Sequence, residues 1–330
     1  MKCKKVLAAI MAAAMTVSLA ACGSSSDSKK SEGKDKTYHI GICQLVQHDA
    51  LDAATKGFQD TLTEKLGDNV KFDLQNAAGD SATCATITNQ FVNDNVDLIM
   101  ANATPALQAA MAATADIPIV ATSVTDFGTA LDIKDWTGKS GINVTGTADL
   151  APLDKQAAMI KELVPDAKTV GILYCSAEAN SKYQADTVTK ELEKLGFEVK
   201  DYTVADTNEI ASVTTKACGE VDCIYIPTDN TIASATAAVN EIAAPANIPI
   251  IAGEEGICKG CGVATLSISY YSLGQKAGEM AYDILVNGKD PADMDIEFAT
   301  DLTKKYVKER AEALNITVPD DYEEIDMSAE

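Results

Sequence analysis

Side chains on which many binding and catalytic sites depend are scarce in this 330-residue chain. It contains two histidines, one tryptophan and, among 27 basic residues, a single arginine at Arg310. A site that clamps phosphate or a dicarboxylate with guanidinium groups is therefore not expected. Two histidines provide little general-base capacity near neutral pH, and a single tryptophan disfavours a sugar site built on stacked aromatic faces.

The usual catalytic motifs are also missing from the sequence. There is no Gly-x-Ser-x-Gly elbow, no phosphate loop ending in Gly-Lys-Ser or Gly-Lys-Thr, and no metal-binding pair of histidines. The chain is therefore not expected to be an enzyme, and no cofactor is expected.

Acidic side chains strongly outnumber basic ones. The formal net charge is −22 at pH 7, and it becomes more negative if an amino-terminal leader that carries Lys2, Lys4 and Lys5 is removed. Nucleic acids and anionic membrane surfaces are therefore poor partners.

The amino terminus has the layout of a secretory signal. Three lysines precede an apolar run from Val6 to Ala21, which is too short to span a bilayer. The run ends in Leu19-Ala20-Ala21-Cys22, which resembles the lipobox of bacterial lipoproteins. We therefore expect residues 1–21 to be a signal peptide and Cys22 to be lipidated, which places the protein outside the cytoplasm on the cell membrane. Ordinary cleavage that leaves an unmodified cysteine is the alternative.

The segment that follows is polar and contains no apolar residue. Residues 23–36 consist only of glycine, serine and charged residues, which cannot bury enough surface to fold. We therefore expect residues 22–36 to be a lipidated cysteine followed by a flexible tether.

Nine cysteines are many for an exported chain. If Cys3 is lost with the leader and Cys22 is lipidated, seven remain: Cys43, Cys84, Cys175, Cys218, Cys223, Cys258 and Cys261. An odd number cannot pair completely, so mostly free thiols are expected. The close pairs 218/223 and 258/261 leave two disulfides or a four-thiolate metal site as alternatives. Because nothing in the sequence brings the two pairs together, no metal site is expected.

An internal repeat sets the predicted architecture. Val96-Asp97-Leu98-Ile99 is echoed by Val221-Asp222-Cys223-Ile224, and Ala115-Asp116-Ile117-Pro118-Ile119-Val120-Ala121 by Ala246-Asn247-Ile248-Pro249-Ile250-Ile251-Ala252. The chain therefore reads as two copies of one half.

Within each half, apolar runs alternate with helical periodicity. In the first half a strand is predicted from Tyr38 to Cys43, a helix from Leu51 that stops at Gly67, and an edge strand over residues 70–74. A helix over 82–95, a strand over 97–101, a helix from Pro105 and a strand over 117–121 follow. This order predicts an α/β fold with two doubly wound parallel-sheet lobes joined by a multi-strand hinge.

Because the chain must cross between the lobes more than once, each lobe is discontinuous in sequence. We expect the first lobe to contain residues 37–142 and about 263–295, and the second to contain 143–262 and about 296–330. The sequence leaves the lobe membership of residues 299–330 open.

Several short segments together carry a family resemblance. They are Ile40-Gly41-Ile42 with Gln44, His48 and Ala50-Leu51-Asp52; Thr122-Ser123-Val124-Thr125-Asp126; Gly171-Ile172-Leu173-Tyr174 with Glu178-Ala179-Asn180-Ser181; Pro227-Thr228-Asp229-Asn230; and Gly253-Glu254-Glu255-Gly256. In this order and spacing the chain resembles a type I periplasmic solute-binding protein, and more narrowly the substrate-binding lipoproteins of tryptophan and tyrosine uptake by ABC transporters. The resemblance implies ligand binding between two lobes that close by a hinge motion.

Polar loops are expected where parallel strands end, which is where ligands bind in open α/β sheets. In the first lobe Asn102, Thr104, Ser123 and Thr125, with the helix that starts at Pro105, are suited to a carboxylate. In the second lobe Glu178, Asp229, Glu254 and Glu255 are suited to an ammonium group. We expect Thr104 and Thr125 to hold the carboxylate and Asp229 or Glu254 to receive the ammonium.

The same loops supply the other candidate ligand-binding residues: Gln44, His48, Ala103, Asp126, Ser176, Asn180 and Asn230. Two of these assignments have a structural alternative. His48 either lines the pocket or caps the helix that begins near Asp49, and Asp229 either binds ligand or caps the helix that follows it.

Acidic groups on one side and anion-holding groups on the other are complementary to a zwitterion, so we expect an amino acid, and the resemblance favours an aromatic one. The expected role is that of a monomeric capture subunit that works with separate ABC permease and ATPase subunits. A sensory receptor, or a binder of a sugar or nucleoside, remains the alternative.

Overall fold

The computed structural model describes residues 36–327. The expected leader (residues 1–21), the lipidation site at Cys22 and almost all of the expected tether lie outside the described residues, as do residues 328–330. Within the described part, no helix is long and apolar enough to cross a membrane.

Strands and helices alternate along the described chain, as the apolar pattern predicts. The strands are β1 (Tyr38–Gln44), β2 (Val70–Asn76), β3 (Leu98–Asn102), β4 (Ile119–Val124), β5 (Val144–Ala148), β6 (Thr169–Cys175), β7 (Glu198–Val204), β8 (Cys223–Ile226), β9 (Ile250–Ala252), β10 (Ala264–Ser267), β11 (Glu297–Phe298), β12 (Thr303–Tyr306) and β13 (Glu323–Glu324). The helices are α1 (Asp49–Leu66), α2 (Ser81–Asn93), α3 (Thr104–Ala113), α4 (Phe127–Ala130), α5 (Leu153–Leu163), α6 (Ala179–Lys194), α7 (Ile210–Cys218), α8 (Asn230–Ala233), α9 (Thr236–Ala243), α10 (Glu255–Cys261), α11 (Tyr270–Asn287) and α12 (Lys308–Ala313).

The strands form two sheets. Their orders are β11-β5-β4-β3-β1-β2 and β13-β12-β10-β9-β8-β6-β7. Neighbouring strands are parallel except for β10 and β12, which are antiparallel. The segment β5-β4-β3-β1-β2 has the same order as β10-β9-β8-β6-β7, so the internal duplication predicted from sequence is present in the topology. The predicted α/β class with two parallel-sheet lobes is confirmed.

The sheet pairings also show where the chain passes between the lobes. β5 pairs with β4 in the first sheet, β10 pairs with β9 in the second, β11 returns to the first and β12 to the second. The crossing segments within the described chain are therefore residues 149–152, 268–269 and 299–302. The expected lobe boundaries after residues 142, 262 and about 295 each fall a few residues earlier, because β5 and β11 still pair in the first sheet and β10 in the second.

Each sheet is covered by helices on both faces. In β1, Ile40 and Ile42 belong to the apolar cluster that contains Phe58 of α1 and Ala277 of α11, whereas Cys43 belongs to the cluster on the α2 and α3 face. The second sheet is likewise placed between two clusters. Burying both faces accounts for the nearly continuous apolar character of the central strands.

Helices α1 and α11 pack very closely through small residues. A Cβ atom added to Gly274 of α11 would lie 1.9 Å from the carbonyl oxygen of Ala54, and one added to Gly57 of α1 would lie 2.1 Å from that of Tyr271. Only glycine permits this approach. The packing fixes the position of Tyr270, the first residue of α11 and the residue next to a crossing segment.

Candidate functional site

A cavity lies between the two lobes at the carboxyl ends of the central strands, where the sequence predicts the ligand site. It is lined by residues from both lobes and from the crossing segments: His48, Leu51, Ser123, Thr125, Asp149, Asn180, Thr228, Asp229, Asn230, Ala233, Glu254 and Tyr270.

Two side-chain contacts across the cavity hold the lobes together. The ring Nε2 of His48 lies 3.3 Å from Oδ1 of Asn230, and Nε2 of Gln184 donates to Oγ1 of Thr125 over 3.3 Å. His48 and Thr125 belong to the first lobe, and Asn230 and Gln184 to the second. The structure is therefore that of a closed cleft.

Glu178 orients side chains in the second-lobe wall of the cavity, and both of its carboxylate oxygens already accept hydrogen bonds. One of its carboxylate oxygens, Oε2, accepts hydrogen bonds from the side-chain amides of Asn180 (3.0 Å) and Asn230 (2.6 Å). The other, Oε1, accepts from the backbone N–H and the hydroxyl of Thr231, each at 2.8 Å. Glu178 thereby orients two of the amides that line the cavity.

Asp229 acts as the cap of helix α8, which is the structural alternative foreseen for it. Its Oδ1 accepts from the backbone N–H of Ile232 (2.8 Å) and its Oδ2 from that of Cys175 (2.6 Å). Burial and the nearby Glu178 carboxylate raise the pKa of Asp229 to about 7. Both oxygens are engaged with the backbone of the second lobe.

Glu254 occupies the equivalent position at the start of α10. Its Oε2 accepts from the backbone N–H of Gly256 (2.6 Å) and its Oε1 from that of Ile257. Burial raises the pKa of Glu254 to about 7. Like Asp229, it lines the cavity but uses both carboxylate oxygens to cap a helix.

Asp149 was not foreseen from the sequence, and its bonding differs from that of the other carboxylates. It follows β5 directly, and its backbone N–H donates to the carbonyl of Val124 (3.2 Å). The Tyr270 hydroxyl donates to its Oδ2 (2.8 Å), whereas its Oδ1 has no hydrogen-bond partner among residues 36–327. Burial raises the pKa of this carboxyl, and the hydrogen bond from the Tyr270 hydroxyl opposes the rise.

Ser123 and Asn180 also present unpaired polar atoms. Ser123 has a left-handed backbone (φ 56°) at a register shift between β4 and β5, and such strain in a non-glycine residue is a feature of functional sites. Its Oγ and the Oδ1 of Asn180 have no partner in the described structure. Ser123, Asp149 and Asn180 thus bring three buried, unpaired polar atoms to one cavity.

Gln44 and Asn102, both predicted site residues, lie beneath helix α1 and do not line the cavity. The side-chain amide of Gln44 donates to Asp52 (2.6 Å), and its Oε1 accepts from Thr55 (2.7 Å). The amide of Asn102 donates to the carbonyl of Leu51 (2.8 Å) and to the Thr55 hydroxyl (2.9 Å). This network holds α1 on the sheet and so positions Leu51 in the cavity wall.

Four other predicted residues are placed at helix starts or outside the cavity wall. Ala103 (φ 90°) directly precedes α3 and Thr104 is its first residue; Pro105, in the first turn, lines a different cavity. Asp126 caps α4 by accepting from the backbone N–H of Thr129 (2.7 Å). The Ser176 hydroxyl donates to the carbonyl of Val204 (3.2 Å).

The structure thus brings seven of the predicted residues to the cavity: His48, Ser123, Thr125, Asn180, Asp229, Asn230 and Glu254. The residues missed are Leu51, Asp149, Thr228, Ala233 and Tyr270. Leu51 and Thr228 lie inside segments that carry the family resemblance, so the resemblance could have identified them as site residues. Asp149 and Tyr270 lie at crossings that the sequence placed elsewhere.

A larger, more open cavity adjoins the first along Asp49, Lys259 and Tyr271. None of its lining residues has a buried polar atom without a partner in the described part of the chain. The interlobe cavity is therefore the better candidate for a specific ligand site.

The seven cysteines within the described residues are free thiols. Neither close pair forms a disulfide, and no group of three or more histidine, cysteine, aspartate or glutamate side chains within residues 36–327 is arranged to hold a metal. Burial raises the pKa of Cys258 and Cys261, so both thiols are protonated at neutral pH.

Comparison with known proteins agrees with this geometry. Residues 39–327 match the family model for ABC transporter substrate binding proteins. A tyrosine-binding protein of Clostridioides difficile is 41% identical over 305 residues, which cover 89% of this chain and 88% of that protein. Substrate-binding proteins of ABC transporters work outside the cytoplasm.

Two solved structures are similar to the chain over most of its length. The chain is 38% identical to an ABC domain from Streptococcus pneumoniae in complex with L-Trp, with a TM-score of 0.82 over 86% of this chain and 97% of that one. It is also 38% identical to the ligand-free, open structure of a substrate binding protein with adhesive properties from Clostridium difficile, with a TM-score of 0.67 over 88% and 99%.

The fit to the L-Trp complex is better than the fit to the ligand-free, open structure, although the identity is 38% in both cases. The family match over residues 39–327, the duplicated topology and the relatives together confirm the resemblance predicted from sequence. This chain belongs to the ABC transporter substrate-binding proteins.

Proposed function

We propose that this protein captures a zwitterionic aromatic amino acid between its lobes. The observation that carries the proposal is the convergence of unpaired polar atoms from Ser123, Asp149 and Asn180 on a cavity that two lobes enclose. Relatives described as binding tyrosine or L-Trp support the choice of ligand.

The electrostatics of the cavity favour a ligand with a positive group. Asp149, Asp229 and Glu254 line it, and no lysine or arginine is among its lining residues in the described chain. Burial lowers the pKa of His48, so this ring is neutral near pH 7. Buried carboxylates need compensating charge, which a ligand ammonium supplies.

For the ligand carboxylate, the Ser123 and Thr125 hydroxyls are the proposed donors. Both residues line the cavity, whereas Thr104, the other residue expected from sequence, does not. Leu51, Ala233 and the Tyr270 ring offer apolar surface for the ligand side chain. A hydroxyl-based carboxylate site suits a chain whose single arginine lies elsewhere.

Ligand binding would shift the lobes toward the closed arrangement. A ligand that contacts Ser123 in one lobe and Asn180 in the other stabilises only the state in which both are near it. Motion at the crossing segments (residues 149–152, 268–269 and 299–302) would open and close the cleft. The closed form would then be delivered to separate permease and ATPase subunits by a protein that acts as a monomer and without catalysis.

A ligand panel tests the proposal. Differential scanning fluorimetry with the twenty amino acids, common sugars and nucleosides should show stabilisation by L-tyrosine or L-tryptophan. Ligand at a hundredfold excess over Kd contributes about 2.7 kcal/mol, which corresponds to an increase in Tm of several degrees. Stabilisation by a sugar or nucleoside, and by no amino acid, would overturn the ligand assignment.

A pair of serine variants then tests the location. Ser123→Ala should weaken aromatic amino-acid binding by about 10- to 150-fold, because a hydrogen bond to a charged group contributes about 1.5–3 kcal/mol. Ser176→Ala is the matched control, because this serine lies in a neighbouring strand-end loop but bonds to Val204. Equal effects of the two changes in isothermal titration calorimetry would place the ligand elsewhere.

Membrane attachment is proposed to depend on Cys22. Two acyl chains hold a protein at a membrane although its net charge disfavours contact with anionic lipid. In the native host, Cys22→Ala should move the protein from the membrane fraction to the medium or periplasm and abolish labelling by a radioactive fatty acid. Retention and labelling of the variant would contradict lipidation at this position.

A further inference from the structure

We propose that Asp149 receives the α-ammonium group of the ligand, in place of Asp229 or Glu254. This assignment rests on the proposed function and identifies the residue that makes the site specific for an amine. Three observations support the assignment. Asp149 has a carboxylate oxygen without a hydrogen-bond partner, it lies beside Ser123 and Thr125, and its other oxygen is bonded to Tyr270.

The carboxylates around the cavity differ in whether an oxygen remains available to accept a hydrogen bond from a ligand. Each oxygen of Asp229 accepts a backbone N–H, as does each oxygen of Glu254. The oxygens of Glu178 are shared among Asn180, Asn230 and Thr231. Among these carboxylates, Asp149 alone has an oxygen without a hydrogen-bond partner in residues 36–327.

That unpaired oxygen is buried. Asp149 is 4% exposed and lines the cavity. Leaving a buried carboxylate oxygen unpaired is costly, and no lysine or arginine of the described chain lines this cavity to compensate it. A primary ammonium has three N–H donors, so one can bond Asp149 Oδ1 while the others reach Asn180 Oδ1 or another acceptor.

The position of Asp149 also matches the shape of an α-amino acid. The ammonium and carboxylate of such a ligand are attached to the same carbon, so their receptors in the protein must be neighbours. The backbone N–H of Asp149 bonds the carbonyl of Val124, and Val124 lies between Ser123 and Thr125. The receptor for the ammonium is therefore placed beside the hydroxyls proposed for the carboxylate, in the first lobe and its crossing segment.

Tyr270 holds the carboxylate in this position. Its hydroxyl donates to Asp149 Oδ2 over 2.8 Å, and it follows a second crossing segment directly. The two residues thus join two of the segments at which the lobes are connected. Tyr270 is a positioning residue for Asp149, and its ring also lines the cavity.

The test compares ligands with and without the amine. Binding of L-tyrosine and L-tryptophan is measured by isothermal titration calorimetry beside 3-(4-hydroxyphenyl)propionate and indole-3-propionate, for wild type and Asp149→Asn. Wild type should prefer each amino acid over its deaminated analogue by about a hundredfold. Asp149→Asn should weaken amino-acid binding by about the same factor and change analogue binding less than threefold, so that the preference disappears.

Asp229→Asn and Glu254→Gln are the controls. In each, the amide oxygen keeps one of the two backbone hydrogen bonds and the amide NH2 loses the other, so stability falls, but the ratio of affinities for the amino acid and its deaminated analogue reports on the amine alone. Both should keep the preference for the amine within about threefold of wild type. Loss of the preference in either control, or its persistence in Asp149→Asn, overturns the assignment. If wild type binds no aromatic amino acid at all, the proposed function itself fails and the assignment falls with it.

The ligand-free Tm shows whether Asp149→Asn is folded. Since Asp149→Asn removes a buried unpaired charge, its ligand-free Tm should equal or exceed that of wild type. Asp149→Glu, which keeps the charge one methylene away, should retain a measurable preference for the amine. A preference as small in Asp149→Glu as in Asp149→Asn, with both variants folded, would count against a role for charge at this position.

Discussion

The imidazole of His48, from the first lobe, lies 3.3 Å from the side-chain oxygen of Asn230, from the second. The amide nitrogen of Asn230 donates to Glu178 over 2.6 Å, so the oxygen is already turned toward His48. Burial lowers the pKa of the His48 ring, and a neutral ring can donate from Nε2 to this oxygen. The contact exists only when the lobes are close, so it contributes to the closed state.

His48→Ala should therefore shift the cleft toward opening. A neutral hydrogen bond contributes about 0.5–1.5 kcal/mol, so we expect affinity for the aromatic amino acid to fall about 2- to 10-fold, measured by calorimetry. Small-angle scattering should show a larger radius of gyration without ligand. The control is His39→Ala, at an exposed position of β1, the other histidine of the chain. Equal losses for both variants would contradict a role in closure.

The lobes were predictable from sequence because their signals are local. Apolar runs and helical periodicity define each strand and helix, and the echo of Val96-Asp97-Leu98-Ile99 in Val221-Asp222-Cys223-Ile224 predicts the duplication. The matching strand orders of the two sheets agree with this predicted duplication. Polar residues at or just after the ends of the central strands, such as Ser123 in β4 and Asn180 in the first turn of α6, were predicted from the same local signals, since strand ends of a parallel sheet share one edge.

The residues at the crossings could not be found this way. Asp149 and Tyr270 are 121 positions apart, and neither belongs to a repeated segment. Their contact depends on how the crossing segments lie between the lobes, which is a long-range property. For Asp229 and Glu254 the difficulty was the opposite: an acid before a helix either binds ligand or caps the helix, and local sequence does not distinguish the two.

Gly274→Ala should destabilise the first lobe. The added Cβ would lie 1.9 Å from the Ala54 carbonyl oxygen, so α11 must move away from α1, at a cost of about 1–3 kcal/mol for overpacking. Because α11 begins at Tyr270, amino-acid affinity should fall as well. Thermal and denaturant unfolding would measure the first effect and calorimetry the second.

Gly219→Ala is the matched control for this change. The nearest atom to a Cβ there is 3.5 Å away, and the backbone is right-handed (φ −83°). Alanine should be neutral or stabilise by about 0.4–1 kcal/mol, because it restricts the unfolded chain. Similar unfolding midpoints for the two variants would show that the close contact of α1 and α11 is not needed.

The single arginine has a structural role at the end of α10. The guanidinium of Arg310 donates to the carbonyls of Cys258 (2.8 Å), Lys259 (2.8 Å), Gly260 (2.8 Å) and Gly262 (3.1 Å). Lysine has the charge but not the planar fork of donors. Arg310→Lys should therefore lower the free energy of unfolding by about 2 kcal/mol, measured by denaturant titration.

The control for Arg310 is Lys308→Ala, an exposed position on the same helix. It should change the unfolding free energy by less than about 0.5 kcal/mol, as is usual for surface substitutions. A destabilisation by Lys308→Ala as large as that by Arg310→Lys would show that charge on α12, and not the carbonyl contacts, stabilises this region.

Stability of the ligand-free protein should fall as pH rises from about 4.5 to 7. Burial raises the pKa of Asp229 and that of Glu254 to about 7, well above their values of about 4 in an unfolded chain. A raised pKa means that the folded state binds the proton more tightly, so the stabilisation is complete below about pH 4 and is lost as pH passes through 7. Each group contributes up to about 1.4 kcal/mol per pH unit within this window.

Chemical denaturation at several pH values would measure this slope, and Asp229→Asn/Glu254→Gln should flatten it. Below about pH 4 the trend should reverse. Backbone N–H groups lower the pKa of Asp222, and the hydrogen bond from Lys289 lowers that of Asp283, so protonating either carboxyl favours unfolding. A wild-type slope that survives in the double variant would assign the titration to other groups.

Removing the Tyr270 hydroxyl should weaken ligand binding through Asp149 without abolishing it. In Tyr270→Phe the Asp149 Oδ2 loses its 2.8 Å hydrogen bond, while the ring remains in the cavity wall. The carboxylate is then free to rotate, and its pKa rises further because a hydrogen bond to its charged form is gone.

We expect affinity for L-tyrosine and L-tryptophan to fall about 5- to 20-fold, which is smaller than the effect of losing a hydrogen bond to the charged ligand itself, because the lost bond only positions Asp149. Binding of the deaminated analogues should be unchanged, and the loss of amino-acid affinity should be greatest at acidic pH, where the altered carboxyl is protonated. A uniform loss for both kinds of ligand would mean that Tyr270 shapes the pocket with its ring alone and that Asp149 is held in place by the backbone.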